Sequence, residues 1–137
     1  MNVSPIFCLA ITFTSLCQPA QAQTITGEVT RVVDGDTFHL GRIAIRVCGI
    51  DAPERGDAGH QEAKAALEAI IGNKRLRCTP VGAGSVCDGR SNPYSHKRIV
   101  AQCFVGKLDI ASEMVRSGHA CDWINYSGGA YTGGCRK

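Results

Sequence analysis

The amino-acid sequence predicts a small α+β domain that is mainly β, and three patterns in the sequence predict it. Five short segments have the residue pattern of strands, with polar and apolar residues alternating in most of them. Two further segments carry apolar residues at helical spacing. The chain of 137 residues is long enough for one domain and contains no internal repeat.

The first 22 residues have the features of a signal peptide. Residues 1–22 contain no Lys, Arg, Asp or Glu, and residues 6–16 form an apolar core that is too short to span a bilayer. Ala20-Gln21-Ala22 fits the small-residue cleavage rule, so we expect the mature chain to begin at Gln23. The sequence therefore predicts an exported monomer, periplasmic or secreted, with one domain over residues 23–137 and no membrane attachment after cleavage.

Cysteine usage also indicates export. Of the eight cysteines, two lie in the predicted signal peptide and six remain. An even number in a small exported domain favours disulfides, and the chain has no C-x-x-C pair that would favour a metal site instead. The six are Cys48, Cys78, Cys87, Cys103, Cys121 and Cys135.

The strand and helix patterns follow one another in an order that suits a barrel. Helices are expected over residues 60–71 and 110–117, the second with Asp109 as its N-cap, and a long polar loop over residues 82–95. No long third helix is expected after Ala120. Three strands, a helix, two strands and a helix suit a five-stranded barrel of the OB type. The predicted strands are residues 24–33, 37–40, 43–48, 74–81 and 98–105.

Four carboxylates lie at the two ends of one predicted hairpin. Asp34 and Asp36 follow the first strand, Asp51 and Glu54 follow the third, and Arg46 lies in the strand between them. Folding would collect these negative groups at one end of the sheet, which is unfavourable unless a cation or a proton compensates them. Calcium, which prefers oxygen ligands, is the expected cation.

Four segments of the sequence carry a resemblance to a known family. They read Val-Val-Asp-Gly-Asp-Thr, Ile-Arg-Val-Cys-Gly-Ile-Asp-Ala-Pro-Glu, Arg-Ile-Val-Ala-Gln-Cys and Met-Val-Arg-Ser-Gly-His-Ala. In them the sequence resembles the thermonuclease family, the staphylococcal-nuclease-like domains, over about residues 27–123. The resemblance implies a calcium-dependent phosphodiesterase on an OB barrel that acts on DNA and RNA. It implies calcium ligands at Asp36, Asp51 and the carbonyl of Ala52, and catalytic residues at Arg46, Glu54 and Arg98.

The chemistry of hydrolysis explains why these residue types are needed. Arg46 and Arg98 can each hold a phosphate oxygen through planar, often bidentate bonds. The resemblance implies that Glu54 takes a proton from the attacking water or orients it. Calcium would act as a Lewis acid on the same phosphate. Lys97, Tyr94 and Tyr126 are the expected substrate contacts.

Two features depart from the family pattern. The family has Tyr-Gly-Arg before the fifth strand, where this chain has His96-Lys97-Arg98. The turn that aims Arg98 is therefore changed, although Lys97 could itself meet a phosphate. The family's C-terminal helix is missing from the sequence pattern, and disulfides are expected to compensate, since each contributes roughly 2–4 kcal/mol.

Two other classes of function stay open on the sequence alone. One is a catalytically weak or inactive OB module that binds nucleic acid through stacking aromatics, with Tyr94, Trp123, Tyr126 and Tyr131 as candidates that could equally be core or lid. The net charge of +3 permits such a polyanionic partner without requiring one. The other is a disulfide-stabilised scaffold that binds protein, which would leave the four acids without a purpose. Calcium-dependent cleavage, as opposed to binding alone, separates the first class from a nuclease.

One disulfide follows from the predicted strands. Cys78 and Cys103 lie at inward-facing positions of two strands that we expect to pair, which brings their Cβ atoms within reach of a bond. For the other four cysteines several pairings stay open. The one we favour joins Cys48 to Cys121 and Cys87 to Cys135.

Overall fold

The computed structural model describes residues 23–132 and Cys135. Three helices occur in this part of the chain: α1 (His60–Ile71), α2 (Ile110–Arg116) and α3 (Ile124–Ser127). Nine strands occur in it: β1 (Ile25–Asp34), β2 (Thr37–Leu40), β3 (Ile43–Val47), β4 (Ile50–Asp51), β5 (Arg75–Pro80), β6 (Tyr94–Ser95), β7 (Arg98–Val105), β8 (Leu108–Asp109) and β9 (Cys121–Asp122).

Five of the strands close into a mixed barrel. Strands β1, β2 and β3 form an antiparallel meander, and β5 pairs antiparallel with both β1 and β7. The parallel pairing of β3 with β7 closes the barrel, with Arg46 opposite Val100. The structure thus confirms the expected α+β fold with an OB-type barrel.

The interior of the barrel explains why these segments form strands and helices. Apolar side chains of the strands fill it, among them Phe38, Ile45 and Leu76. Helix α1 has the predicted bounds and buries Leu67 and Ile71 against this core. Helix α2 begins as predicted, because the Asp109 carboxylate accepts hydrogen bonds from the first free N–H groups of the helix.

The structure differs from the prediction in two segments. The predicted long loop over residues 82–95 ends in a short strand, β6, which pairs with the start of β7. Helix α3 adds a third helix of four residues to the two that were expected. Strands of two residues and a single helical turn carry too few residues to show a periodic pattern in a sequence.

The disulfide bonds confirm one predicted pair and correct the other two. Cys78 and Cys103 are directly opposite in β5 and β7 and are bonded, as predicted. The expected Cys48–Cys121 and Cys87–Cys135 pairs were wrong, since the bonds are Cys48–Cys87 and Cys121–Cys135. Cys121 lies in β9, which pairs with the short strand β4 and not with β3. Its partner in this pairing is Asp51, three residues after Cys48.

The prediction of export depends on the signal peptide, on membrane-spanning helices and on the disulfides. The predicted signal peptide, residues 1–22, lies outside the described residues. Among the described residues, no helix is both long and apolar enough to cross a membrane. Three disulfides fit a secreted or extracellular protein.

Candidate active site

Arg46 lies at the centre of the candidate site and contacts both predicted metal-binding aspartates. Its Nη2 atom is 3.0 Å from Asp36 Oδ2 and 3.9 Å from Asp51 Oδ1. The guanidinium also donates to the carbonyl oxygen of Val47 at 2.7 Å and to that of Ile50 at 2.9 Å. Two carboxylates from separate turns therefore face each other across one arginine, as the sequence pattern suggested.

Asp36 is the most deeply buried of the predicted carboxylates, with 3% of its surface exposed. Its Oδ2 atom accepts from the Ala52 N–H at 3.0 Å in addition to Arg46, and its Oδ1 atom accepts from the Thr37 hydroxyl at 3.0 Å. Burial raises the pKa of Asp36 to about 6; Arg46 and the Ala52 N–H lower the pKa, and Asp34 raises it further. One arginine therefore does not fully compensate this carboxylate.

The turn that carries Asp36 packs so closely that it requires glycine. A Cβ atom at Gly35 would lie 2.7 Å from the Cβ of Ala52 and 2.8 Å from that of Ala63. Both distances are shorter than real Cβ contacts, so a side chain at this position would push the turn away from helix α1. The glycine thus holds Asp36 against the loop that begins at Ala52.

Arg98 is connected to Asp36 through the hydroxyl of Thr37. The Nη1 atom of Arg98 donates to Thr37 Oγ1 at 3.1 Å, and the same oxygen donates to Asp36 Oδ1. On its other side Arg98 donates from Nε to the Ser95 carbonyl at 3.1 Å and from Nη2 to the Ser95 hydroxyl at 3.4 Å. A continuous hydrogen-bonded chain therefore runs from Arg98 through Thr37 and Asp36 to Arg46.

The changed turn before Arg98 is a tight hairpin with two residues between its paired ends. Ser95 and Arg98 are paired, and His96 and Lys97 both have positive φ, at 49° and 64°. This is the pattern of a type I′ turn, which normally has Asn and Gly at these positions. The turn keeps Arg98 at the first position of β7 although neither residue is a glycine.

Glu54 lies in the loop between β4 and α1, with its side chain exposed. Its backbone N–H donates to Asp57 Oδ2 at 3.1 Å, and the Asp57 N–H donates back to the Glu54 carbonyl at 2.9 Å. Within residues 23–132 the Glu54 carboxylate has no hydrogen bond or ion pair, so it does not touch Asp36, Arg46 or Arg98. Its predicted role in activating water stays a prediction.

A cleft of about 310 Å³ opens beside Arg46 and collects exposed aromatic rings. Tyr94, Trp123 and Tyr126 line it, so two of the three predicted substrate contacts lie together. The rings of Trp123 and Tyr126 meet edge to face with centroids 4.6 Å apart, and Tyr94 is 70% exposed. Lys97, the third predicted contact, is exposed in the hairpin turn and does not line this cleft.

The oxygen donors of the site fit a hard cation that keeps part of its shell for water or substrate. Asp36 and Asp51 are held around the same Nη2 atom, and Asp34 lies close enough to raise the pKa of Asp36. In the described part of the chain, no three His, Cys, Asp or Glu side chains are grouped to enclose a metal ion. Such a cation would therefore be held by two carboxylates at an open site, where water or substrate oxygens would complete its coordination.

Sequence reasoning missed two residues of this region as site residues. Thr37 was assigned only to a strand, although it directly follows Asp36 and is buried at 3% exposure. Trp123 was weighed only as a possible stacking residue, beside Tyr131. The structure separates the two, because Tyr131 belongs to the core at 3% exposure and Trp123 lines the cleft.

Comparison with known proteins finds similarity to proteins that are named endonucleases. The chain is 30% identical over 128 aligned residues to the probable endonuclease LCL3 of Clavispora lusitaniae, which covers 67% of this chain and 51% of that protein. It is 32% identical over 125 aligned residues to the protein of the same name from Meyerozyma guilliermondii, covering 67% and 52%. An uncharacterized endonuclease of Haemophilus influenzae is 29% identical over 107 aligned residues, covering 74% and 54%.

The similarity has two limits. No family model matches this chain. The chain spans about half the length of the curated relatives it matches.

Proposed function

We propose that this chain hydrolyses phosphodiester bonds of DNA, RNA or both, as a nuclease of the thermonuclease type with calcium as its cation. The observation that carries the proposal is the hydrogen-bonded chain from Arg98 through Thr37 and Asp36 to Arg46. It holds two guanidinium groups around one set of carboxylates. The similarity to proteins named endonucleases supports the same reaction class.

The two arginines keep donors for a phosphate. Among the described residues, Arg46 uses Nη1 once and Nη2 for its other contacts, which leaves its Nε–H and one Nη1–H without an acceptor. Arg98 likewise keeps one N–H on each terminal nitrogen. Guanidinium groups that are already oriented bind a phosphate without further ordering, so these four N–H groups would neutralise charge as it develops in the transition state.

The remaining predicted residues have separate roles in this proposal. Asp36, Asp51 and the Ala52 carbonyl would hold the calcium ion, which supplies Lewis-acid polarisation of the phosphate when it is bound. Glu54, with its exposed carboxylate, would accept a proton from the attacking water or orient that water. Each of these roles needs its own test.

The aromatic cleft would bind a base of the substrate next to the scissile phosphate. Base–aromatic stacking contributes about 1–3 kcal/mol per base and tolerates different sequences. Tyr94, Trp123 and Tyr126 offer ring faces or edges there, and Arg46 lies in the same cleft. Lys97, outside the cleft, would contact the neighbouring backbone phosphate.

Export fits the proposed cation. The three disulfides and the predicted signal peptide favour a periplasmic or secreted location. Extracellular calcium sites work with dissociation constants of roughly 10⁻⁴ to 10⁻³ M, which suits a site with few protein ligands.

Incubation of the oxidised chain with labelled DNA and RNA, in calcium or in chelator, tests this function. We expect cleavage in calcium and none in chelator, and we expect Asp51→Asn to need more calcium than the wild type. Binding of the labelled strands without cleavage in any divalent cation would contradict the proposal and indicate an OB module that only binds nucleic acid. Neither binding nor cleavage would leave the protein-binding scaffold as the remaining class.

A further inference from the structure

The hydroxyl of Thr37 joins two charged groups of the site, the Asp36 carboxylate and the Arg98 guanidinium. Thr37 lies opposite Asp34 in the β1–β2 pairing and opposite Arg46 in the β2–β3 pairing. Its hydroxyl is within hydrogen-bond distance of Asp36 Oδ1, at 3.0 Å, and of Arg98 Nη1, at 3.1 Å. The residue is 3% exposed, so water competes little for these bonds.

The direction of the two hydrogen bonds is fixed by chemistry. A guanidinium group only donates, so the Thr37 oxygen must accept from Arg98. The single hydroxyl proton is then left for Asp36, whose ionised carboxylate only accepts. Both bonds are satisfied together in one orientation of the hydroxyl, and a hydrogen bond to a charged group is stronger than one between neutral groups.

The contacts of Arg98 show why this bond is needed. Apart from Thr37, its guanidinium bonds only to Ser95 among the described residues, and Ser95 belongs to the same hairpin. Within the part of the chain that the structure describes, Thr37 therefore supplies the only hydrogen bond from the Arg98 guanidinium to a residue outside this hairpin.

We propose that Thr37 is a positioning residue, whose hydroxyl aims the Arg98 guanidinium at the phosphate that Arg46 also contacts. The inference rests on the proposed nuclease function and deepens it. It also explains how this chain keeps Arg98 in place behind the unusual His96-Lys97 turn.

Thr37→Val is the variant that tests the proposal, because valine keeps the shape and the β-branch and removes only the hydroxyl. We expect the cleavage rate at saturating substrate to fall about 10- to 100-fold, as for other residues that orient a catalytic group. Thr37→Ser should restore most of the rate. Thr30→Val is the matched control, because the Thr30 hydroxyl also donates a hydrogen bond, at 2.8 Å to the Gly41 carbonyl, in a different turn.

A double-mutant cycle shows whether Thr37 acts through Arg98. In the Arg98→Ala background, Thr37→Val should change the rate by no more than about twofold, because its partner is already absent. An equal loss in both backgrounds would overturn the positioning role, and so would a Thr37→Val rate equal to that of the wild type. Circular dichroism and urea unfolding confirm that each variant is folded.

A second readout does not depend on activity. ¹⁵N relaxation of the Arg98 Nη groups reports how tightly the end of the guanidinium that bonds to Thr37 is held, and we expect Thr37→Val to increase its motion while Thr30→Val leaves it unchanged. If the wild type cleaves nothing in any divalent cation, the nuclease proposal fails, and this measurement still decides whether Thr37 orients Arg98. Unchanged relaxation in Thr37→Val would overturn the inference.

Discussion

At the scale of single residues, Asp36 is constrained both by its burial and by its bonds. It is buried, it bonds to Ala52, Thr37 and Arg46, and its pKa is raised to about 6. Burial is the largest cause of the raised pKa, and it outweighs the attraction of the arginine. Because Arg46 alone does not compensate the buried charge of Asp36, a second cation beside this carboxylate would be stabilised. A metal ligand needs this property.

The raised pKa of Asp36 predicts how stability depends on pH without metal. Because the folded state holds the proton more tightly, the stabilising contribution is complete below the unfolded pKa near 3.8 and is lost as the pH rises through about 6. Asp36→Asn has no such titration. We expect its free energy of unfolding, relative to the wild type, to rise by about 2 kcal/mol between pH 4 and pH 7.

Urea unfolding of both proteins in chelator, at the two pH values, measures this difference. The comparison of one pair of proteins at two pH values cancels every effect of the substitution that does not depend on pH, and the pKa of Asp36 already includes the attraction of Arg46. If the free energies of unfolding of the two proteins differ by the same amount at pH 4 and pH 7, the pKa of Asp36 is not raised in the folded state.

At the scale of secondary-structure elements, the hairpin from β6 to β7 carries strain next to the site. His96 and Lys97 both occupy the left-handed region, which costs a residue other than glycine roughly 1–2 kcal/mol. The pairing of Tyr94 with Ile99 and of Ser95 with Arg98 holds the turn in this conformation. The start of β7, where Arg98 lies, is thereby fixed.

Lys97→Gly should relieve part of this strain. We expect it to raise the free energy of unfolding by about 1 kcal/mol, since glycine adopts positive φ without steric cost. Lys107→Gly is the control, because Lys107 lies in the β7–β8 turn and is not among the residues with positive φ. Urea midpoints measure both changes. A Lys97→Gly variant that is no more stable than the wild type would show that the positive φ of Lys97 does not strain the turn.

The Cys121–Cys135 disulfide stabilises the element that forms one wall of the cleft. Asp51 and Cys121 are paired in β4 and β9, and the Asp122 N–H donates to the Cys135 carbonyl at 2.9 Å. The bond thus ties Cys135 back to β9, the partner of the strand that carries Asp51. Trp123 and α3 lie between the two bonded cysteines. Cys135 is exposed, whereas the cysteines of the other two bonds are buried.

Exposure predicts that this disulfide is the first to be reduced. Mild treatment with dithiothreitol, followed by alkylation and peptide mass spectrometry, should label Cys121 and Cys135 before the other four cysteines. Replacing both by serine should lower the free energy of unfolding by about 2–3 kcal/mol, as expected for a loop of this length. Labelling of Cys78 or Cys103 first would contradict this order.

At the scale of the whole molecule, the closed barrel is what could be predicted from the sequence. The alternating strands and the periodic helix over His60–Ile71 are long enough to show their pattern, and the barrel order followed from them. The short strands β4, β6 and β9 have two residues each and left no pattern.

The sequence indicated that Asp36, Asp51 and Arg46 come together, and the structure shows their contacts, whereas their roles in metal binding and catalysis stay predictions. The acids and arginines stand out because their charges recur at the ends of predicted strands. The bond from Thr37 to Arg98 joins residues 61 positions apart and depends on the parallel closure of the barrel by β3 and β7. The sequence around Thr37 does not indicate these contacts, and only the three-dimensional structure shows that its hydroxyl joins Asp36 to Arg98.

The rate of DNA cleavage by Arg98→Ala in calcium tests the central claim most directly, because Arg98 follows the turn that departs from the family pattern. We predict a rate about 10²–10³ lower than that of the wild type, the usual effect of removing one preorganised charge partner of a transition state. Arg42→Ala, which removes an exposed arginine from the β2–β3 turn, should cleave at the wild-type rate. A folded Arg98→Ala variant that cleaves as fast as the wild type would contradict the proposed active site.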